Sequence, residues 1–168
     1  MATTLSLVLR DTLRGYYRSD TDLTKAAELI EIDLPPQFQK FTNGTGVHQA
    51  NRFVSDKLTV GIGGTSLDVR GTTLLDIFGQ AFNLTVLRAI RVCNIEDTTG
   101  TLEISGNLIT SIYSGTGAGF KDFLGPRAVW HKTFPVDGLP ITAGVNDIIT
   151  FTAQSGSIQM QYDLIGAQ

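Results

Sequence analysis

One cysteine, one tryptophan and two histidines occur among 168 residues, and each scarcity closes off a class of chemistry. Cys93 alone cannot build an internal disulfide framework or a cysteine zinc cluster. It is expected to be a reduced, buried small hydrophobe. His48 and His131 stand apart, without the short spacing that lets two imidazoles reach one metal ion. Charged residues make up only 17% of the chain, against a usual share of about 25%. A surface this poor in charge is expected to be covered in part by other subunits. The net charge of −3 excludes a general polyanion-binding surface, although a local basic patch stays open. No apolar run reaches about 18 residues, so no transmembrane helix is expected. The first ten residues alternate in polarity and lack a basic stretch ahead of a hydrophobic core, which reads as a strand and not as a leader.

What is present is glycine, 18 residues of it, and a hydrophobic period of two. A chain of this length buries roughly 70% of its extended surface, enough for a core without staples. Alternation over 3–9, 29–34, 53–60 and 65–69 predicts strands. Pro35-Pro36 ends the second of these, because proline cannot donate to a ladder. Phe82 to Asn94 is apolar on both parities, the pattern of a central strand buried on both faces. Leu74 to Phe78 reads as a single helical turn or a loop plug. Thr101 to Ser105 and Ala128 to Val136 read as further strands. Ile148 to Ala153 and Ile158 to Ile165 flank Ser155-Gly156, which predicts a hairpin. Gly115, Gly117 and Gly119, like Gly61 to Gly64, lack the strand-turn-helix context of phosphate-binding loops and are expected to be turns. About eight to ten short antiparallel strands point to an all-β fold, a jelly-roll-like β-sandwich forming a single domain over residues 1–168.

Residues 10–27 stand out. Arg14, Tyr16, Tyr17 and Arg18 gather there, with Asp11, Asp20 and Asp22 offsetting the charge. This stretch reads as an N-terminal arm or a long loop, either solvated or docked on a partner. The helix expected within the chain is short, Asp22 to Glu28, capped by Thr21 or Asp22.

Catalytic patterns are not found. A nucleophile needs an adjacent base, and the two histidines are isolated. Glu31 with Asp33, and Glu96 with Asp97, do not form a diagnostic carboxylate pair across a cleft. The expectation is a protein that is no enzyme and takes no cofactor and no metal. Exposed aromatics on a sandwich could bind sugar, and Trp130 and Tyr113 are the residues to watch, with core packing the alternative role for both.

Several blocks carry a family cadence. Asn43-Gly44-Thr45-Gly46-Val47-His48-Gln49-Ala50-Asn51 is followed by Leu67-Asp68-Val69-Arg70-Gly71 and Leu74-Leu75-Asp76-Ile77-Phe78-Gly79. Arg88-Ala89-Ile90-Arg91-Val92-Cys93-Asn94 leads to Gly100-Thr101-Leu102-Glu103-Ile104. Pro140-Ile141-Thr142-Ala143-Gly144-Val145-Asn146-Asp147 precedes Tyr162-Asp163-Leu164-Ile165-Gly166. From about residue 43 onward the chain resembles the head decoration, cement or minor capsid proteins of tailed bacteriophages. Arg70 and His48 stand where that family tends to have small residues. The resemblance implies a virion structural protein that binds the outside of the capsid, with the major capsid protein as partner. It also implies self-association, a trimer before a dimer, and no nucleic-acid or membrane partner. Its location would be the capsid surface, after synthesis in the bacterial host cytoplasm. Candidate capsid or subunit contacts are Arg14, Tyr16, Tyr17, Arg18, Phe120 and Phe123. The competing expectation is a receptor- or carbohydrate-binding β-module of a phage tail or fibre.

Overall fold

A computed structural model describes the backbone at 7–11, 14–19, 28–33, 37–76, 79–113, 119–134 and 136–168, and side chains from 41 onward. The chain forms two compact units, one of Ser6–Phe41 and a larger one containing Thr42–Gln168.

The smaller unit is built from four strands: β1 (Leu7–Asp11), β2 (Arg14–Ser19), β3 (Glu28–Asp33) and β4 (Gln37–Asn43). β1 pairs antiparallel with β4, from Leu7 opposite Phe41 to Asp11 opposite Gln37. β2 pairs antiparallel with β3, from Arg14 opposite Asp33 to Ser19 opposite Glu28. The second pairing lies inside the first along the chain. The stretch expected as an arm or loop thus contains a paired strand, and Glu28 begins β3. The rest of the expected helix lies within residues 20–27, outside the described residues. Residues 3–6 of the first expected strand are outside them too.

The larger unit begins with the short β5 (Gln49–Ala50), which pairs parallel with the last two residues of β4. Nine strands and one helix follow. They are β6 (Arg52–Gly61), β7 (Thr65–Asp68), β8 (Val86–Asn94), β9 (Leu102–Ser105), α1 (Asn107–Ile112), β10 (Asp122–Leu124), β11 (Val129–Thr133), β12 (Leu139–Pro140), β13 (Ile148–Ala153) and β14 (Ser157–Ala167). One sheet has the order β10-β9-β13-β7. The other runs β11-β8-β14-β6, with β12 added beside β8. Every pairing in these two sheets is antiparallel. The partners nest. β6 pairs with β14, β7 with β13, β8 with β11, and β9 with β10. This is an all-β sandwich, as the period of two predicts.

The core lies between the sheets. β13 alternates strictly, burying Ile149, Phe151 and Ala153. From the facing sheet come Val54, Ile90, Val92, Ile158, Met160, Tyr162 and Leu164. The Phe151 and Tyr162 rings stack across the layers with centroids 6.3 Å apart. β8 is flanked by β11 and β14 and is largely buried on both sides, as its apolar sequence implies. Cys93 is only half-buried there.

One expectation is corrected. β13 and β14 do not form a hairpin: each pairs within a different sheet, so Ser155-Gly156 carries the chain from one layer to the other. Alternation fixes which residues face inward but not which strand lies alongside. The apolar run from Leu108 forms the helix α1. It buries Leu108 and Ile109 in the core. The Leu74–Phe78 plug is a loop held by a bridge between Leu75 and Ala81. Residues 77–78 are outside the described set.

Candidate functional site

β10 and β11 are edge strands of the two sheets. α1 packs against β13 and β9. Gly106, at φ 109°, opens α1, and a Cβ there would sit 2.4 Å from the Ile148 carbonyl oxygen. Asn107 then locks the helix to β13. Its side-chain oxygen accepts from the Ile148 backbone N–H (2.7 Å), and its amide donates to Asp147 (3.2 Å). Asp147 also accepts from the Gly144 N–H (2.5 Å). These hydrogen bonds hold its carboxyl below the usual carboxylate range, with the Gly144 bond the main cause, against the opposing effect of burial.

α1 ends at Tyr113, and that residue organises an aromatic patch. The Trp130 indole N–H donates to the Tyr113 hydroxyl oxygen at 3.1 Å. The Tyr113 hydroxyl in turn donates to the Asp122 carboxylate. Phe120 stacks on Tyr113 with centroids 5.8 Å apart and planes 22° from parallel. Lys132 Nζ lies 5.0 Å from the Tyr113 ring centroid, a cation–π distance. Burial, and then the hydrogen bond to Asp122, raises the Tyr113 pKa, so the hydroxyl remains a hydrogen-bond donor at neutral pH.

Beside this fixed tyrosine Phe120 is 41% exposed. Phe123 (55% exposed) and Val129 take the outward parity of β10 and β11, opposite to Asp122 and Trp130. Two anchors keep β10 in place. Glu103 on β9 binds Lys121 (2.7 Å) and Gln154 (3.0 Å). Buried Asn94 donates to the carbonyls of Leu124 (3.1 Å) and Gly100 (3.0 Å) and accepts from the Glu96 N–H (3.1 Å). Chemically the patch offers a rigid apolar contact with a polar rim, the composition of a protein-binding surface.

The expected contact residues therefore divide. Phe120 stacks on Tyr113, and Phe123 is exposed on the edge strand β10. Arg14, Tyr16, Tyr17 and Arg18 occupy β2, in the other unit. Trp130 is 8% exposed. Its ring is a core residue and its N–H a tether, so the indole face is not open for stacking on a sugar.

The outer face of the β11-β8-β14-β6 sheet carries a row in register: His131, Arg91, Asp163 and Ser55. Arg91 pairs with Asp163 at 2.8 Å, and the Ser55 hydroxyl donates to the same carboxylate at 2.6 Å. His131 aligns with Arg91, three strands from Ser55. The row stiffens a polar face and does not assemble a proton relay. Among the described residues no three His, Cys, Asp or Glu side chains gather as a metal site, and no helix is long and apolar enough to cross a membrane.

Arg88 was not singled out by sequence reasoning. The β8–β14 pairing has Ala89 opposite Ile165 and Leu87 opposite Gly166, so Arg88 is the extra residue of a β-bulge. It is 3% exposed. Its guanidinium donates to the carbonyls of Gly46 (2.7 Å), Val136 (2.8 Å), Gln49 (3.1 Å) and Thr45 (3.3 Å). Burial lowers its pKa and Asp137 opposes that shift. Arg88 thereby pins the Gly44–Gln49 loop to the loop around Val136.

No family model, curated protein or solved structure matches the chain. The fold defines a class only: an all-β sandwich in the larger unit, with a separate unit of paired strands earlier in the chain.

Proposed function

We propose that this chain is a structural protein of a tailed-phage virion that sits on the outside of the head and cements neighbouring major capsid subunits. The observation that carries this reading is the exposed Phe120 ring stacked on Tyr113, which Trp130 and Asp122 hold in place, with Phe123 and Val129 exposed on the edge strands β10 and β11. Large exposed apolar groups on a soluble surface mark contact sites, and a preorganised patch loses little entropy when it docks. The nested strand pairing supports reading the sandwich as a jelly roll, an architecture used by viral capsid and lectin domains. Fold alone does not assign function, so the patch and the family cadence bear the weight. Repetition on a shell would turn modest single contacts into firm attachment.

The alternative is a receptor- or carbohydrate-binding module of a tail or fibre. The exposed Phe120 and Phe123 rings favour it, and burial of the Trp130 ring counts against it.

Cryo-electron microscopy of the particle tests the proposal, with density for this chain expected on the outer head surface. Density on the tail alone, or within the head, would overturn it. The double variant Phe120→Ser/Phe123→Ser should keep the fold, since both rings are exposed, and should release the protein from heads in a sedimentation assay. Full occupancy by that variant would show that the patch is not the docking surface.

A further inference from the structure

β4 ends on a chemically labile dipeptide, Asn43-Gly44. In an asparagine–glycine pair the glycine nitrogen meets the least steric hindrance on its way to the asparagine side-chain carbonyl, and such asparagines are weak points of a chain. Asn43 is exposed. Gly44 has φ 141°, a conformation open to glycine and costly for residues with a Cβ. The turn that leaves β4 therefore imposes the very residue that makes its neighbour labile.

The same turn ties down the nucleophile. The Gly44 backbone N–H donates to the carbonyl of Ala50 at 3.2 Å, and the Thr42 N–H to that of His48 at 3.1 Å. Asn43 lies opposite Ala50 in the parallel β4–β5 pairing, and Ala50 is fully buried. Within the turn the Gln49 N–H donates to Gly46 O (3.0 Å), and the Gly46 N–H donates to Gln49 Oε1 (2.9 Å). Arg88 binds the carbonyls of Thr45, Gly46 and Gln49. For the Gly44 nitrogen to reach Asn43 Cγ, its bond to Ala50 must break and the turn must open.

We infer that Asn43 is a latent deamidation site, held unmodified in the folded protein by the Gly44–Ala50 hydrogen bond and by the Arg88 clamp on the same turn. When the turn opens, hydroxide takes the Gly44 amide proton and the nitrogen attacks Asn43 Cγ. The Cγ–Nδ2 bond breaks, the departing amine takes a proton from water to leave as ammonia, and hydroxide is returned. Water then opens the cyclic imide at one carbonyl or the other, giving aspartate or isoaspartate. The sum is one water consumed and one ammonia released, with no oxidation. Either product adds a negative charge. Isoaspartate also inserts a methylene into the main chain at the residue paired with Ala50, which loosens the β4–β5 pairing. β4 carries the chain from one compact unit into the other, so the modification falls at the connection between them. The reaction rate in the folded protein is the intrinsic rate multiplied by the fraction of time the turn is open. The inference goes beyond the proposed function and stands or falls wherever the protein sits on a particle.

The test incubates full-length wild type, Arg88→Met and Gly106→Ala in native buffer at mildly alkaline pH, with wild type in concentrated urea alongside. Peptide mapping by mass spectrometry follows conversion of the Asn43 amide to a carboxyl group, and enzymatic methylation of isoaspartate counts the isomer. Asn43 should convert readily in urea and roughly tenfold or more slowly in the folded wild type. Arg88→Met should speed the folded-state reaction roughly tenfold, as expected for the loss of hydrogen bonds from a charged group. Gly106→Ala, which disturbs the start of α1, should stay within about twofold of wild type, because opening this turn does not require unfolding the sandwich. Should Arg88→Met fail to fold, Arg88→Lys takes its place with a smaller acceleration. Absence of conversion at Asn43 in urea would overturn the proposal, as would equal rates in urea and in the folded wild type. A wild-type rate in the Arg88 variant would remove the clamp from it. Equal acceleration by Gly106→Ala and Arg88→Met would also overturn it, because protection would then come from global stability and not from this turn.

Discussion

Replacing Arg88 with methionine removes a buried charge while keeping most of the side-chain length. In the native state the guanidinium makes two close bonds, to Gly46 O at 2.7 Å and Val136 O at 2.8 Å, and two longer ones. A hydrogen bond to a charged group contributes about 1.5–3 kcal/mol, so the two close bonds alone represent about 3–6 kcal/mol. Against this, methionine avoids the cost of burying a cation, and the carbonyls of Thr45, Gly46 and Val136 belong to exposed residues that water can reach. The expected net loss is about 2–4 kcal/mol. Urea unfolding monitored at Trp130, the single tryptophan, gives this directly as a lower midpoint at unchanged slope. Amide exchange should also quicken at Gln49 and Ala50, whose strand the guanidinium steadies. Arg88→Lys, with one point charge in place of a planar fork, should fall between the two. A loss under about 1 kcal/mol for Arg88→Met would refute the view that this residue clamps the two loops.

Gly106→Ala should destabilise by about 1–3 kcal/mol in thermal melts, because the position combines φ 109° with a Cβ 2.4 Å from the Ile148 carbonyl oxygen; a wild-type melting temperature would contradict the packing at the start of α1. Asp147 sets an acid limb. Its folded pKa is lowered, so its contribution is complete above the unfolded carboxylate value of about 4 and is lost as pH falls through the depressed folded value. Asp147→Asn should therefore flatten the acid side of the stability–pH curve, and an unaltered acid limb would remove Asp147 as its source.

Much of the fold is legible in local pattern. Alternation in 148–153 and 158–165 locates β13 and β14, and the two-sided apolar run ending at Asn94 locates β8 at the centre of its sheet. The helix was not legible. Leu108, Ile109 and Ile112 include residues that favour strands, and six residues are too few for a helical period to declare itself. Its formation rests on Gly106, Asn107 and Asp147, whose partners come from β13. The patch was half legible. Phe120 and Phe123 stand out beside a Gly-rich stretch, but the link from Trp130 through Tyr113 to Asp122 joins three elements that only packing brings together.

By itself the amino-acid sequence determined the strand-rich class and the inward parity of strands such as β13 and β14, because these depend on neighbours one to four residues apart. Tertiary structure decided the rest. It sent β13 and β14 to different sheets, placed Arg88 at a bulge where it meets four carbonyls, and turned isolated aromatics into one surface. Those outcomes depend on strand partners tens of residues away, and a period of two is the same whichever partner lies alongside.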